Sequence, residues 1–358
     1  MAWPLVSQAG AVRSSTRRAT PSPTPPKLQR RGQHAWNVSG TDFFGQHKED
    51  LLSGECPPRL LVHAQMDATA LQYMRSCRRF CDWAAAEGVE IFPCLRLDRA
   101  MALYLDVLCY DDEIGIGEGR NLASGMLAIY PGLRLPETFR ALKAWEALRP
   151  GVQGSPIAVP VLMEIIDRMG TYGETGAAAA DAALLAFDCY LREQDWEMMR
   201  VSDVVTADGV TGIRLGVQER GERVKTGQEQ GVLVDYPGTQ EMLKMRIANK
   251  PGDERVFPIS QIMFRNLWYR ACTELQVSEI VGRPHNIRHT GPSYDVWNGY
   301  WSLKEVQKRG RWRVDASVQR YAKAHEYARA VSRIPESLKK LGGKKCNKLG
   351  KRPERPRS

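Results

Sequence analysis

At 358 residues, with 43% hydrophobic and 26% charged side chains, the chain is long enough for two globular domains. Its longest apolar stretches are far shorter than a membrane span, which excludes an integral membrane protein and predicts a soluble one. A formal net charge of +10 indicates a polyanionic partner.

Most of the positive charge lies at the two ends of the chain. Residues 1–45 carry six Arg or Lys and one Asp, and residues 337–358 carry nine Arg or Lys and one Glu. Residues 46–336 are left with a small net negative charge. Composition therefore supports nucleic-acid binding by the tails, and binding by the central part must be argued from individual residues.

Both ends are predicted to be disordered basic tails. Residues 1–45 are rich in Ser, Thr, Pro and Arg, a composition of a solvated tail, a DNA-contacting arm or an organelle transit peptide. Residues 337–358 contain Lys pairs that resemble a nuclear signal. The expected location is the nucleus or another DNA-containing compartment, and organelle targeting by residues 1–45 stays open.

Residues 58–148 are predicted to form a helical domain. Apolar side chains recur every three or four residues from Leu71 to Ala84, which indicates one face of a helix. Three more helices are expected over Arg99–Leu108, over Asn121–Ile129 and from Pro136 onwards. Together these elements predict a small helical bundle.

A linker is predicted at residues 149–156, followed by a second domain over residues 157–336. This domain begins with two helices, continues with strands at Val210–Val217 and Val232–Val234, and returns to helices from Ser260. The predicted fold class is mainly α with a small antiparallel sheet (α+β).

The eight cysteines form neither a CxxC pair nor a Cys/His ligand pattern. They predict a reducing compartment and no structural zinc.

Four dispersed clusters carry residue types that handle phosphate. They are Leu191-Arg192-Glu193-Gln194-Asp195, Val224-Lys225-Thr226-Gly227, Pro284-His285-Asn286-Ile287-Arg288-His289-Thr290, and Gly310-Arg311-Trp312 followed by Tyr321. Taken singly, each is commoner as a surface ion pair, a turn lysine or a packed aromatic. Tyr327 is a competing nucleophile to Tyr321.

The order and spacing of these clusters resemble the catalytic domain of the tyrosine recombinases, the phage integrase family, and residues 58–148 resemble its core-binding domain. The resemblance implies that Arg192, His285 and Arg288 neutralise a scissile phosphate of double-stranded DNA. It also implies roles for the remaining residues. Tyr321 attacks to give a 3′-phosphotyrosine, Lys225 protonates the departing 5′ oxygen, Trp312 packs and donates its indole N–H, and Asp195 and His289 support the cluster.

The same resemblance implies no cofactor, no metal, no membrane and a homotetramer on DNA. Two departures from the family pattern stand out. Gly291 and Pro292 follow the His-x-x-Arg motif, where Pro is expected to kink or end the helix. Arg311 stands between Gly310 and Trp312. The alternatives to a recombinase are a non-catalytic DNA-binding protein derived from an integrase and a type IB topoisomerase.

Overall fold

The computed structural model describes residues 67–91, 94–130, 132–151, 153–222 and 229–346, with residues 350 and 352. The predictions for residues 1–45 and for Lys225 lie outside these residues. The chain divides into two compact units after Gly151. None of the helices described is both long and apolar enough to cross a membrane.

The first unit consists of helices packed around an apolar interior. Its helices are α1 (Asp67–Ala86), α2 (Cys94–Asp106), α3 (Gly117–Ile129) and α4 (Pro136–Leu148). Phe80, Met101 and Leu122 are almost completely buried between them, as the apolar periodicity requires. Leu71 is the exception, because its position in the first turns of α1 leaves it 53% exposed.

A buried carboxylate fixes the start of α4. The side chain of Asp98 on α2 accepts the backbone N–H groups of Glu137 (2.8 Å) and Thr138 (2.9 Å) and the Thr138 hydroxyl (2.7 Å). These are donors that a helix leaves unsatisfied in its first turn, and a negative charge is favourable there. Asp98 thus joins two helices of the bundle.

The second unit is mainly helical and contains one small sheet. Its helices are α5 (Val159–Gly170), α6 (Gly173–Cys189), α7 (Glu193–Glu197), α8 (Pro237–Ile247), α9 (Gln261–Glu274), α10 (Ser278–Val281), α11 (Ile287–Trp297), α12 (Leu303–Gly310), α13 (Asp315–Tyr321), α14 (Ala324–Arg333) and α15 (Glu336–Cys346). Helix α6 lies in the core, since its Ala178, Ala182, Leu185 and Phe187 have no exposed surface.

The sheet is antiparallel with the strand order β1-β2-β3, and the predicted fold class is confirmed. The strands are β1 (Val204–Ala207), β2 (Val210–Leu215) and β3 (Gln230–Val234). Ile213 pairs with Val204 on one side and with Val232 on the other. Strand β1 was not predicted, because three of its four residues are exposed and show no alternation of apolar and polar side chains.

Helix α11 does not end at Pro292, where the sequence predicted that proline would kink or end the helix. Pro292 lies inside α11, which continues to Trp297. Gly291 explains why: a Cβ atom there would lie 2.4 Å from the Phe187 carbonyl oxygen and 2.6 Å from the Tyr190 ring. Glycine at position 291 lets α11 pack closely on α6. This packing stabilises the helix and offsets the loss of the one backbone hydrogen bond that Pro292 cannot make.

Helix α12 is capped at both ends. At its start the Ser302 hydroxyl accepts the Glu305 N–H at 3.3 Å, as in a capping box. At its end Gly310 is the last helical residue, and Arg311 takes the left-handed C-cap conformation with φ 58°. Glycine is required at position 310 because a Cβ atom there would lie 2.1 Å from the Trp312 ring.

The C-terminal segment is not a disordered tail over its described part. Residues Glu336–Cys346 form α15, which packs on α5. Lys345 on α15 donates to Glu164 and Asp167 on α5, both at 2.8 Å. The basic composition misled the prediction, because Lys345 meets acidic partners on the folded unit rather than solvent alone.

Neighbouring glycines of α15 provide a direct test of this docking. At Gly342 a Cβ atom would lie 2.1 Å from the Pro160 carbonyl oxygen, whereas no atom of the described residues lies within 4 Å of one at Gly343. Gly342→Ala should lower the free energy of unfolding by about 1–3 kcal/mol through overpacking. Gly343→Ala should raise it by about 0.5–1 kcal/mol, the usual effect in a helix. Urea denaturation would measure both changes in the free energy of unfolding. If the two substitutions had the same effect, the docking of α15 on α5 would be contradicted.

Candidate active site

Arg288 is the most buried charged side chain of the predicted site. It lies in the first turn of α11, two residues after the end of a 3₁₀ turn over Pro284–Asn286, and only 1% of it is exposed. Its guanidinium donates to the Tyr190 carbonyl oxygen and, at 3.0 Å, to the Gly310 carbonyl oxygen. The ends of α6 and α12 therefore hold this cation in one orientation.

The Tyr190 carbonyl is available because α6 ends in a left-handed residue. Tyr190 has φ 52° and is fully buried, and its N–H caps the helix on the Ala186 carbonyl. A bulky residue in this conformation is strained and persists only where its surroundings hold it. Here the Tyr190 hydroxyl donates to Asp295, and the ring lies beside Trp312.

The Asp195 carboxylate pairs with two guanidiniums of the cluster, those of Arg288 and Arg311. Its Oδ2 atom accepts the Arg192 backbone N–H at 2.9 Å and Nη2 of Arg311 at 2.8 Å, and it lies 4.0 Å from Nη1 of Arg288. Asp195 was predicted to support the cluster, and these contacts place its carboxylate beside Arg288 and Arg311. Arg311, a departure from the family pattern in the sequence, lies within the cluster.

Positive charge accumulates at this cluster. Burial and the charges of Arg192 and Arg311 lower the pKa of Arg288 to about 9, and Asp195 offsets only part of this effect. Burial is also the main cause that lowers the pKa of Arg311. Arg288 is still protonated at pH 7, so its interactions favour the arrival of an anion.

Tyr321, the last residue of α13, lies in a stack of aromatic rings. Its ring is stacked on Trp312 with centroids 4.9 Å apart and lies 4.5 Å from the His289 ring and 6.1 Å from the His285 ring. The guanidinium carbon of Arg288 lies 5.5 Å from the Tyr321 ring centroid. The structure thus brings the predicted nucleophile beside the predicted cations.

Tyr327, the competing tyrosine, has a different environment. It is 3% exposed, and its hydroxyl accepts the Val159 N–H at 3.3 Å. Burial raises its pKa above the ordinary value for tyrosine. Tyr321, by contrast, is half-buried and contacts both site histidines, His285 and His289.

His289 provides a pH-dependent test of how the site is packed. Burial, with the charges of His285 and Lys323, lowers its pKa to about 3. The unfolded state therefore binds a proton more readily, and stability is lost as pH falls below about 6.5. Between pH 7 and 5.5 the wild type should lose about 1 kcal/mol more than His289→Gln in urea unfolding. If the free energies of unfolding of the wild type and of His289→Gln changed with pH by the same amount, His289 would not be buried as described.

A second ionic network, which no sequence motif indicates, lies behind Tyr190. Asp188, Asp235 and Asp295 are buried with two arginines, Arg309 and Arg352. Arg309 bonds Asp188 and Asp235 at 2.7 Å each, and Arg352 bonds Asp235 at 2.8 Å and Asp295 at 3.0 Å. Asp188 lies two residues before Tyr190, near the end of α6, and Asp295 accepts the Tyr190 hydroxyl. The network therefore supports Tyr190, whose carbonyl oxygen binds Arg288.

Of the predicted site residues, seven lie in this region of the second unit; Lys225 lies outside the described residues. The seven are Arg192, Asp195, His285, Arg288, His289, Trp312 and Tyr321. Arg309 and Arg352 were missed because only folding brings residues so distant in sequence to Asp188 and Asp235. Within the described ranges no group of three His, Cys, Asp or Glu side chains could hold a metal ion.

The chain is similar in fold to solved structures of lambda integrase. Residues 75–356 of lambda integrase bound to DNA match with a TM-score of 0.52 and 17% identity, over 81% of this chain and 97% of that one. A lambda integrase dimer bound to a COC′ core site matches with a TM-score of 0.51 and 16% identity, over 81% and 77%. Comparison with curated protein sequences gives no match.

The sequence of residues 158–327 matches the phage integrase family. This span begins next to α5 and ends after α13, so it contains both the arginine cluster and Tyr321. Fold, motif order and family match agree. Residues 158–327 therefore form a domain of the phage integrase family, the tyrosine recombinases.

Proposed function

We propose that this chain breaks and rejoins DNA strands at specific sites through a 3′-phosphotyrosine on Tyr321. The observation that carries the proposal is the position of the Tyr321 ring, with the guanidinium carbon of Arg288 5.5 Å and the His289 ring 4.5 Å from its centroid. A phosphate at the phenol oxygen would lie beside permanent positive charge. Such a site stabilises the charge that builds on the non-bridging oxygens during attack.

The proposed step exchanges one phosphate ester for another. The Tyr321 oxygen forms a bond to phosphorus as its proton leaves, and the bond from phosphorus to the 5′ oxygen breaks. Lys225 is proposed to protonate that oxygen, and Arg192, Arg288 and His285 to bind the non-bridging oxygens. Because the phosphotyrosine remains a phosphodiester, a 5′-hydroxyl of another strand can reverse the step without a nucleotide cofactor.

Duplex DNA is the proposed partner, with a homotetramer as the proposed assembly. The basic residues 1–45 would supply salt-dependent phosphate contacts that do not depend on base sequence. The helical first unit would supply a second DNA-binding surface. The lambda integrase structures of similar fold are DNA complexes, which supports this choice of partner.

The test is covalent capture of DNA by the full-length protein. Duplexes with a randomised segment would carry a nick shortly 3′ of it, so that the short 5′-hydroxyl fragment diffuses away after cleavage. A strand linked to protein would then accumulate and could be sequenced. The expected result is an adduct that survives boiling in detergent and is enriched in one sequence.

Absence of an adduct from every pool would contradict the proposal. If the protein still selected one sequence by non-covalent binding, it would be a DNA-binding protein derived from a recombinase. Because the duplexes are randomised, these outcomes separate the two functions even though the target site is not specified beforehand.

A further inference from the structure

Arg311 has more hydrogen-bonding capacity than its surroundings use. Its side chain is 5% exposed, and the left-handed φ of 58° turns it into the unit at the end of α12. Nη2 donates to Asp195 at 2.8 Å and to the Tyr190 carbonyl at 3.5 Å. The buried Nε and Nη1 atoms have no hydrogen-bond acceptor among the described residues.

Unsatisfied buried donors are costly, and here they occur together. Nε of Arg288 is also buried without an acceptor in the described part of the chain. The Asp195 carboxylate pairs with the guanidiniums of Arg288 and Arg311 and accepts the backbone N–H of Arg192. The charge of Arg192 lies close enough to lower the pKa of both other arginines. Two guanidiniums with unused N–H groups and one shared carboxylate need an anion with several oxygens to complete their bonds.

We infer that Arg311 is a further catalytic residue, which binds a non-bridging oxygen of the scissile phosphate through its unpartnered N–H groups. The inference rests on the proposed function, and the family resemblance gives this position no role. A purely structural brace on Asp195 would use Nη2 alone and would leave Nε and Nη1 buried without partners. Binding of phosphate satisfies these donors and adds a third guanidinium to the transition state.

The experiment uses the duplex recovered by covalent capture, in two forms. One has the natural phosphate at the cleaved position, and the other has a methylphosphonate, in which a methyl group replaces one charged non-bridging oxygen. Its two diastereomers are tested separately. Cleavage rates of the labelled strand are measured for the wild type, Arg311→Ala and Arg246→Ala. Arg246 is a matched control, because it pairs with Asp181 at 2.5 Å in the same unit.

On natural phosphate, Arg311→Ala should cleave about 100-fold more slowly than the wild type, the usual effect of losing one donor to a developing oxyanion. On the diastereomer that lacks the oxygen bound by Arg311, the two proteins should cleave at nearly equal rates. Arg246→Ala should match the wild type on every substrate. Arg311→Lys should recover part of the rate, because it keeps the charge and loses the fork.

Two results would overturn the role of Arg311. One is an unchanged rate for Arg311→Ala on natural phosphate. The other is an equal slowing on the phosphate and on both methylphosphonates, which is the behaviour of a structural brace. Failure of the wild type to cleave natural phosphate is a different result, since it contradicts the proposed function itself. Thermal unfolding of Arg311→Ala and Arg246→Ala would show whether either rate reflects loss of folded protein.

Discussion

Tyr321→Phe is expected to abolish the covalent protein–DNA adduct, with a loss of about 1,000-fold or more, because no other group replaces a missing nucleophile. The substitution removes one oxygen and retains the ring that stacks on Trp312 at 4.9 Å. Folding and DNA binding should therefore be unchanged. Gel analysis of the adduct and a binding measurement on the same duplex would separate loss of chemistry from loss of binding.

Tyr327→Phe is the matched control for this experiment. Its hydroxyl accepts one backbone N–H, from Val159 at 3.3 Å, and removing it should cost about 1 kcal/mol of stability. The adduct should still form. If Tyr327→Phe lost the adduct and Tyr321→Phe kept it, the nucleophile would have been assigned to the wrong tyrosine.

Arg352→Ala is expected to lower the free energy of unfolding by about 3–5 kcal/mol, although Arg352 lies close to the C-terminus. Arg352 is 3% exposed in its side chain and bonds Asp235 and Asp295, and its guanidinium lies 4.3 Å from the Tyr236 ring centroid. Without Arg352, the buried carboxylates of Asp188, Asp235 and Asp295 share Arg309 as the remaining cation of the network, so negative charge is left uncompensated. Urea denaturation should show this loss, and Arg333→Ala, an exposed change, should cost less than about 0.5 kcal/mol.

The cost of Arg352→Ala should also depend on pH. Burial already raises the pKa of Asp295 to about 6, and Arg352 opposes this effect. Without Arg352 the folded-state pKa rises further above the unfolded value, so the variant loses stability as pH increases through that window. The destabilisation should therefore be larger at pH 8 than at pH 5.5. A cost that did not change with pH would show that packing, rather than charge, accounts for the effect.

Sequence periodicity predicted the helices and the fold class because burial repeats with the helical period. The apolar face from Cys77 to Ala84 is buried as a consequence of that pattern. The same approach failed at Pro292, where local propensity opposes a helix. There the packing of Gly291 against Phe187 depends on contacts more than one hundred residues apart in sequence.

Site residues could be predicted where their types follow a fixed order along the sequence. They could not be predicted where the backbone conformation decides in which direction a side chain points. The positions of Arg288 and Tyr321 agree with their motif spacing. Arg311 stood out in the sequence only as a departure from the family pattern, because its inward direction follows from a left-handed φ that Arg rarely adopts. Arg352 gave a misleading signal, since it lies in a basic segment that composition predicts to be solvated.

Peptide mapping of the captured adduct would test the central claim most directly. After digestion of the DNA to a short remnant and of the protein with a protease, mass spectrometry would locate the nucleotide phosphate. The expected result is a phosphotyrosine linkage in the peptide that contains Tyr321, with Tyr327 unmodified. A linkage at any other residue, or a Tyr321 peptide that stays unmodified while the adduct forms, would contradict the assignment of Tyr321 as the nucleophile.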